Sequence, residues 1–416
     1  AFEELADTAM TARYYARTGA RHLAAERRRG AVPGLTRTTV HHRPLGVVGI
    51  ISPWNYPLTL AASDAVAALM AGNAVVLKPD SATPFTALAV HSLLRRAGAD
   101  PDLLQVVTGP GAALGESLID AVDALMFTGS SATGSAVASR AGARLIPVSA
   151  ELGGKNPLIV RADAPVARTV RGAVGACFSN AGQLCVSIER VYVHEAVWDR
   201  FVPAFVRATR ALRVGAAMGW GADMGPLISP EHLAKVAAHV SDAVAKGATV
   251  LTGGRALPEL SPTAYAPTLL TGVTEDMDLH AAETFGPVAC LYRVSGDEEA
   301  VRLANASPYG LNASVWTADR HAGAELAGRI RAGTVNVNEG YAAAWGSTAA
   351  PMGGMGASGL GRRHGVEGIV KYTQSQTVAV QHLAPLHAPP GADGERWASG
   401  MAAWLRLARH LPRLDR

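Results

Sequence analysis

The chain is expected to be an α/β protein built as two Rossmann-like units. Three observations predict this. Its 416 residues exceed what one hydrophobic core usually organises. Short β-rich runs alternate with helix-like stretches, first over residues 45–149 and again over 158–337. Chemically expressive residues fall just after the runs, where parallel sheets gather their ligands.

In the first unit, strands are predicted at 47–51, 74–77, 104–107, 124–127 and 145–148, with Ala-rich helical segments between them. Pro53, Trp54 and Asn55 follow the first strand. Lys78 follows the second, Thr128-Gly129-Ser130 the fourth and Glu151 the fifth. In the second unit, strands are predicted at 158–160, 191–193, 288–292, 314–316 and 334–337, with helices at 166–179, 197–212, 230–246, 297–304 and 322–330. The Gly-rich stretch 351–361 reads as a flexible loop. It leads to a strand-like segment at 371–378. The expected organisation is 1–153, 154–350, a return segment at 351–382 and a Pro-rich, then basic, tail at 383–416.

Composition narrows the class. Apolar residues make up 49% of the chain and charged ones 17%, which suits a large globular enzyme and argues against disorder. The longest apolar stretch, 58–77, is broken by Asp64, Gly72 and Asn73, so no membrane span is expected. The start carries Glu3, Glu4 and Asp7, unlike a signal peptide. Three cysteines, Cys177, Cys185 and Cys290, make no disulfide framework, and no Cys/His spacing suits a metal. A cytoplasmic protein is the expectation. The net charge of +4 and scattered arginines argue against a nucleic-acid partner. In the tail, Trp397, Met401, Trp404, Ala408 and Leu411 share a helical face, with Arg406, Arg409 and Arg413 away from its centre. Packing on the enzyme is favoured over contact with a membrane surface.

Cys185 follows a small, glycine-containing turn, and Ser179, Asn180, Gln183 and Ser187 make its flanks polar. A thiol there can be presented to a substrate, and the carboxylate of Glu151 can act as a base. That pair forms a covalent thio-adduct and hydrolyses it. Cys290 in an apolar strand and Cys177 on a helix read as structural. Asn55 can donate its side-chain N–H, with the backbone N–H of Cys185, to an oxyanion; a turn-forming role between prolines is the plainer alternative. Gly129 and Ser130 open a helix whose N–H groups can meet a pyrophosphate or nicotinamide; a simple N-cap is the alternative. Gly354, Gly356 and Gly359 match a dinucleotide fingerprint literally, but no clear strand precedes them. Only five of 38 basic residues are lysines, yet Lys78 closes a buried strand, where a compact ammonium suits ribose or phosphate.

The segments 53–57, 151–155 and 178–190 resemble the signature of the aldehyde dehydrogenase superfamily. The likeness spans about 38–380 and is greatest for bacterial succinate-semialdehyde dehydrogenases. It implies a cofactor domain, a catalytic domain and a small β extension. In that extension a hairpin at about 30–44 and a strand like 371–378 join a neighbouring subunit in a homodimer or homotetramer. It implies oxidation of a small-molecule aldehyde to an acid through a thiohemiacetal and thioester on Cys185. Glu151 favours hydrolysis over transfer to coenzyme A, and an esterase is a further rival. Lys78 would grip the adenosine ribose, with Trp54, Asn55, Pro79, Asp80, Ser81, Gly129, Ser130 and Leu152 at the cofactor. Glu283 would hold the nicotinamide ribose beside Phe285. Ser81 stands where NAD-preferring members often carry glutamate, so NADP is expected, with NAD as the alternative. Gly153 and Gly154 would let backbone approach the cofactor.

Tyr56, Phe178, Tyr341 and Trp345 are candidates for the substrate tunnel, with core packing the alternative for each. Ser63 and Ser179 stand where succinate-semialdehyde-specific members carry arginines. This favours an apolar or aromatic aldehyde, unless the serines or Arg190 bind a carboxylate. Relative to the family the front of the chain is shortened, which leaves an inactive, truncated cofactor-binding subunit as the alternative of another class.

Overall fold

The computed structural model describes residues 2–30, 36–382 and 387–410. The strands form three sheets. In the first, the order is Gly359–Leu360, Val148–Glu151, Ala124–Thr128, Val47–Ser52, Ala74–Pro79 and Leu104–Val106. The last five are parallel; Gly359–Leu360 runs antiparallel to Val148–Glu151. Apolar runs such as Val48, Ile50, Val75, Leu77 and Met126 are fully covered. Continuous burial of that kind is what a parallel sheet with helices on both faces requires.

The strand expected at 145–148 begins instead at Val148. Leu145 has a φ of 58° and is almost fully exposed, so it belongs to the turn leaving helix Ser131–Ala143. The shift matters for the site. Glu151 is the last residue of the strand, opposite both Thr128 and Gly359.

The second sheet has the order Thr249–Thr252, Thr268–Thr271, Val288–Val294, Ile188–His194, Asn156–Val160, Asn312–Trp316 and Thr334–Val337. Only the first pair is antiparallel. Two of its strands, Thr249–Thr252 and Thr268–Thr271, were not expected. They are four residues long and Thr-bounded, so they carry little periodic signal.

The third sheet is antiparallel, with Thr36–Pro44 between Glu26–Arg28 and Thr373–Gln381. Of the expected hairpin at about 30–44, residues 31–35 lie outside the described residues. Thr373–Gln381 is an edge strand with Val378 and Val380 exposed.

The Gly-rich stretch is not a free loop. Gly359 pairs opposite Glu151, and the Leu152 N–H donates to the Ser358 carbonyl at 3.0 Å. A Cβ on Gly359 would sit 2.3 Å from the Ala150 carbonyl oxygen, so glycine lets this return segment lie against the Glu151 strand.

The tail forms helix Gly394–Ala408, capped by the Asp393 carboxylate on two backbone N–H groups. Trp397, Met401 and Trp404 are half-buried and Ala408 is buried, while Arg406 and Arg409 are exposed. Leu411 and Arg413 lie outside the described residues. No helix among the described residues is long and apolar enough to cross a membrane.

Candidate active site

A cavity of about 200 Å³ is lined by the carboxyl end of the first sheet and by loops of the second. Cys185, Glu151, Asn55, Trp54, Gly129, Ser130, Leu152, Glu283 and Phe285 all border it. These residues come from separate segments, so the fold alone brings them together.

The loop that carries Cys185 has an unusual backbone. Helix Val166–Phe178 ends, and Asn180, Ala181 and Gly182 take φ values of 50°, 55° and 71°. A Cβ on Gly182 would lie 2.1 Å from the Gly286 carbonyl oxygen, so that position admits only glycine without rearrangement. Side chains hold the remainder. Asn180 donates to the Asn55 carbonyl at 3.1 Å, and Asn55 Nδ2 donates to the Gln183 carbonyl at 2.9 Å. The Gln183 amide bridges to Asn180 and Ile228. Asn156 Nδ2 donates to the Cys185 carbonyl at 2.7 Å. Cys185 is thus presented on a cross-tied turn, with one amide hydrogen of Asn55 committed and the other uncommitted.

Glu151 is buried, and its Oε1 accepts no hydrogen bond among the described residues. Burial pushes its carboxyl up to about 7, against the pull of Arg363 and Lys371. Burial, then the Glu151 charge, pushes the Cys185 thiol up to about 12, while Arg363 draws it down. Behind Glu151 lies a buried charge cluster. Asp64 pairs with Arg363, accepts from Lys371 Nζ at 3.2 Å and from the Tyr372 hydroxyl at 2.9 Å.

At the other side of the cavity, Trp54, His232 and Phe285 form an edge-to-face cluster, with ring centroids 5.6–6.1 Å apart. His232 bonds the Phe285 carbonyl at 2.7 Å, and burial lowers its imidazole below the ordinary value. Lys235 Nζ donates to the Glu283 carbonyl at 2.9 Å. The Glu283 side chain accepts from the Gly154 N–H at 2.8 Å, and burial pushes its carboxyl up to about 7.

The family model described as "Aldehyde dehydrogenase family" matches residues 1–378. This chain belongs to the aldehyde dehydrogenase family. The protein named "Putative succinate-semialdehyde dehydrogenase (NADP(+))" in Mycolicibacterium smegmatis is 52% identical over 410 residues, 99% of this chain and 79% of that protein. The succinate semialdehyde dehydrogenase of Acinetobacter baylyi is 36% identical over 81% of this chain and 70% of its own length. Among solved structures, the succinate-semialdehyde dehydrogenase of Burkholderia pseudomallei superposes with a TM-score of 0.86 at 37% identity, covering 91% of this chain and 78% of that one. An E. coli NADP-dependent enzyme gives 0.87 at 35% identity, with the same coverage of each chain.

In this aldehyde dehydrogenase, Lys78, Pro79, Asp80 and Ser81 lie at the end of strand Ala74–Pro79, outside the cavity lining. Lys78 is 4% exposed and makes no hydrogen bond or ion pair among the described residues. Its ammonium points toward Gly111, at the N-terminus of helix Gly111–Ala121. Ser81 donates to the Gly109 carbonyl at 2.9 Å, and Asp80 accepts from the Ala82 N–H. Ser130 caps helix Ser131–Ala143 by accepting from the Thr133 N–H.

Tyr56, Tyr341 and Trp345 pack in one cluster with Cys185. Phe178 does not join them. It is buried in the second sheet's core with its ring 6.3 Å from that of Phe205, so the core alternative holds at that position. Its helix turns residue 178 inward, toward Phe205 on the neighbouring helix, and the chain leaves the helix only at Ser179. Ser63 is turned away, bonded to Thr59 and Asp7. Arg190 is spent on the carbonyls of Lys155, Leu303 and Ala304 and on Tyr192, so it offers no donor set to a substrate. Gly153 and Gly154 serve close packing within the protein. Added Cβ atoms would stand 2.3 Å from Glu283 Oε2 and 2.8 Å from the Cys185 carbonyl oxygen.

Sequence reading missed His232, Lys235, Asn156, Arg363 and Lys371, and took Gln183 only as a polar flank. One signal was available. The chain keeps five lysines, and four of them, Lys78, Lys155, Lys235 and Lys371, lie at or beside the site, as expected where a compact ammonium is needed.

Proposed function

We propose that this aldehyde dehydrogenase oxidises an aldehyde to the free acid with NADP, using Cys185 as nucleophile and Glu151 as general base. The observation that carries the reading is that the thiol of Cys185 and the buried carboxyl of Glu151, whose Oε1 has no partner among the described residues, border one cavity. Cys185 adds to the aldehyde carbon as its thiol proton passes to ionised Glu151 and on to solvent, and the Asn55 N–H not used within the loop, with the Cys185 backbone N–H, receives the oxyanion. NADP, when bound, supplies the hydride acceptor. Glu151 then takes a proton from water as it attacks the Cys185 thioester, releasing the acid and the thiol.

The residues present suit a dinucleotide phosphate. Lys78 makes no hydrogen bond or ion pair among the described residues, so its ammonium is available to a ligand anion. Ser81 adds no negative charge beside it. The helix opened by Ser130 offers N–H groups, and Glu283 Oε2 remains open to a ribose hydroxyl. The names of one relative and of one similar solved structure both carry NADP, which supports this direction.

For the substrate, relatives are named for succinate semialdehyde. A second reading is favoured by the tunnel itself. Tyr56, Tyr341 and Trp345 pack with Cys185, Ser63 is bonded to Asp7, and both tyrosine hydroxyls donate to Glu3, so none of these residues offers a substrate carboxylate a cation. Neutral apolar or aromatic aldehydes suit that lining better. The position of Thr373–Gln381 at the edge of its sheet among the described residues supports assembly as a homodimer or homotetramer. The testing experiment is single-turnover kinetics of Glu151→Gln. A normal first burst of NADPH without steady-state turnover is expected, and unchanged turnover would overturn the reading.

A further inference from the structure

We propose that Glu189 and Lys155 form a buried positioning pair that sets the loop Glu283–Phe285, and through it the hold on the nicotinamide ribose. The inference rests on the reading of Glu283 given above. Glu189 lies on strand Ile188–His194, four residues after Cys185, and is 3% exposed. It does not border the cavity. Its Oε1 accepts from the N–H groups of Thr284 and Phe285 at 3.1 and 3.0 Å, and its Oε2 from Thr284 at 3.1 Å. Lys155, 1% exposed, contacts the same Oε2.

The loop needs such a hold. Phe285 has a φ of 58°, a conformation that non-glycine residues rarely adopt without support. Carboxylate bonds to its own N–H and to that of Thr284 supply the support, and charge-assisted bonds are the strong class. Lys155 then neutralises a carboxylate that would be costly to bury alone. Arg190 Nε fixes the other end by donating to the Lys155 carbonyl at 2.8 Å.

Two ties therefore run between the segment after Glu151 and the segment of Glu283. One is Gly154 N–H to Glu283 Oε1; the other is Lys155 through Glu189 to Thr284 and Phe285. A glutamine at 189 cannot replace this arrangement. It has one neutral acceptor oxygen for the two N–H groups and Lys155 together, and its amide nitrogen would oppose the Lys155 ammonium.

The test measures NADPH dissociation constants by fluorescence, and KM for NADP against kcat, in four variants. Glu283→Gln checks the underlying reading. Lys155→Met/Glu189→Gln removes both charges, so no buried charge is left unpaired. Glu189→Asp withdraws the carboxylate by one methylene with its charge kept, and reports if the double variant fails to fold. Lys155→Arg keeps the cation. The double variant should weaken NADPH binding by about tenfold or more, the scale of one lost charge-assisted bond. Glu189→Asp should fall between it and the parent. In both, KM for NADP should rise more than kcat falls, and Lys155→Arg should restore binding most of the way. If Glu283→Gln weakens binding while the Glu189 variants bind as the parent does, the positioning pair is overturned. If Glu283→Gln itself binds normally, the assignment of Glu283 fails instead.

Discussion

The Tyr56 ring packs in the cluster that holds Cys185, and its hydroxyl donates to the carboxylate of exposed Glu3 at 2.8 Å. Tyr341 donates to the same carboxylate at 3.2 Å. An acid in this position repels a substrate acid and tolerates a neutral chain. On one preparation, kcat/KM for hexanal and benzaldehyde should exceed that for succinate semialdehyde. Glu3→Gln should narrow the gap by raising the succinate semialdehyde value several-fold, roughly 1 kcal/mol. A clear advantage for succinate semialdehyde in the parent would mean that another cation reaches the tunnel.

Cofactor choice should turn on the end of strand Ala74–Pro79. Ser81→Glu should impair NADP use more than NAD use, because the new carboxylate repels a 2′-phosphate and captures free ribose hydroxyls. Lys78→Met should cost NADP about tenfold in kcat/KM. Steady-state kinetics with both cofactors decides the matter. Equal losses for the two in Ser81→Glu would place that residue away from the ribose.

The elevated Glu151 carboxyl predicts two pH effects of opposite sense. The base works only when ionised, so deacylation should rise with pH through about 7. Stability should move the other way. An acid whose folded value lies near 7, above its ordinary 4.5, favours its neutral form in the native state. The stability tied to it is complete below about 4.5 and lost as pH climbs through 7. Glu151→Gln should therefore gain more in Tm over the parent at pH 8 than at pH 5. Cys185→Ala should abolish turnover at every pH.

Asp64 anchors Arg363, Lys371 and Tyr372 behind the site. Burial alone would raise its carboxyl, yet the two cations overcome this and hold it near 2. Asp64→Asn leaves two buried cations without their counter-ion. A loss of about 3–5 kcal/mol in denaturant unfolding is expected, the usual cost of breaking a buried pair. A loss below 1 kcal/mol would show that water or Glu151 takes over the pairing.

The tail helix turns Trp397, Met401, Trp404 and Ala408 partly out of solvent. An apolar face that is half covered has less surface left to insert into a lipid surface. Co-sedimentation with anionic liposomes should be the same for the full chain and for one ending at Pro389. Stronger sedimentation of the full chain would mean that the helix leaves its packed position.

Much of this protein is legible along the chain. The period of buried runs reveals two parallel sheets, because strands covered on both faces must be apolar throughout. Cys185, Glu151 and Asn55 stand out because reactive residues occur beside glycines and polar flanks, at strand ends. What the tertiary structure alone decided depends on distance in space. Phe178 and Ser63 sit near site residues in sequence, yet helix geometry points them to the core and to Asp7. Gly359 reads as loose loop until it is found opposite Glu151. Arg363 and Lys371 are unremarkable charges until burial beside Asp64 and Glu151 gives them weight. Local spacing can announce a residue's chemistry, but which charges share a low-dielectric interior is set by contacts between segments far apart in the chain.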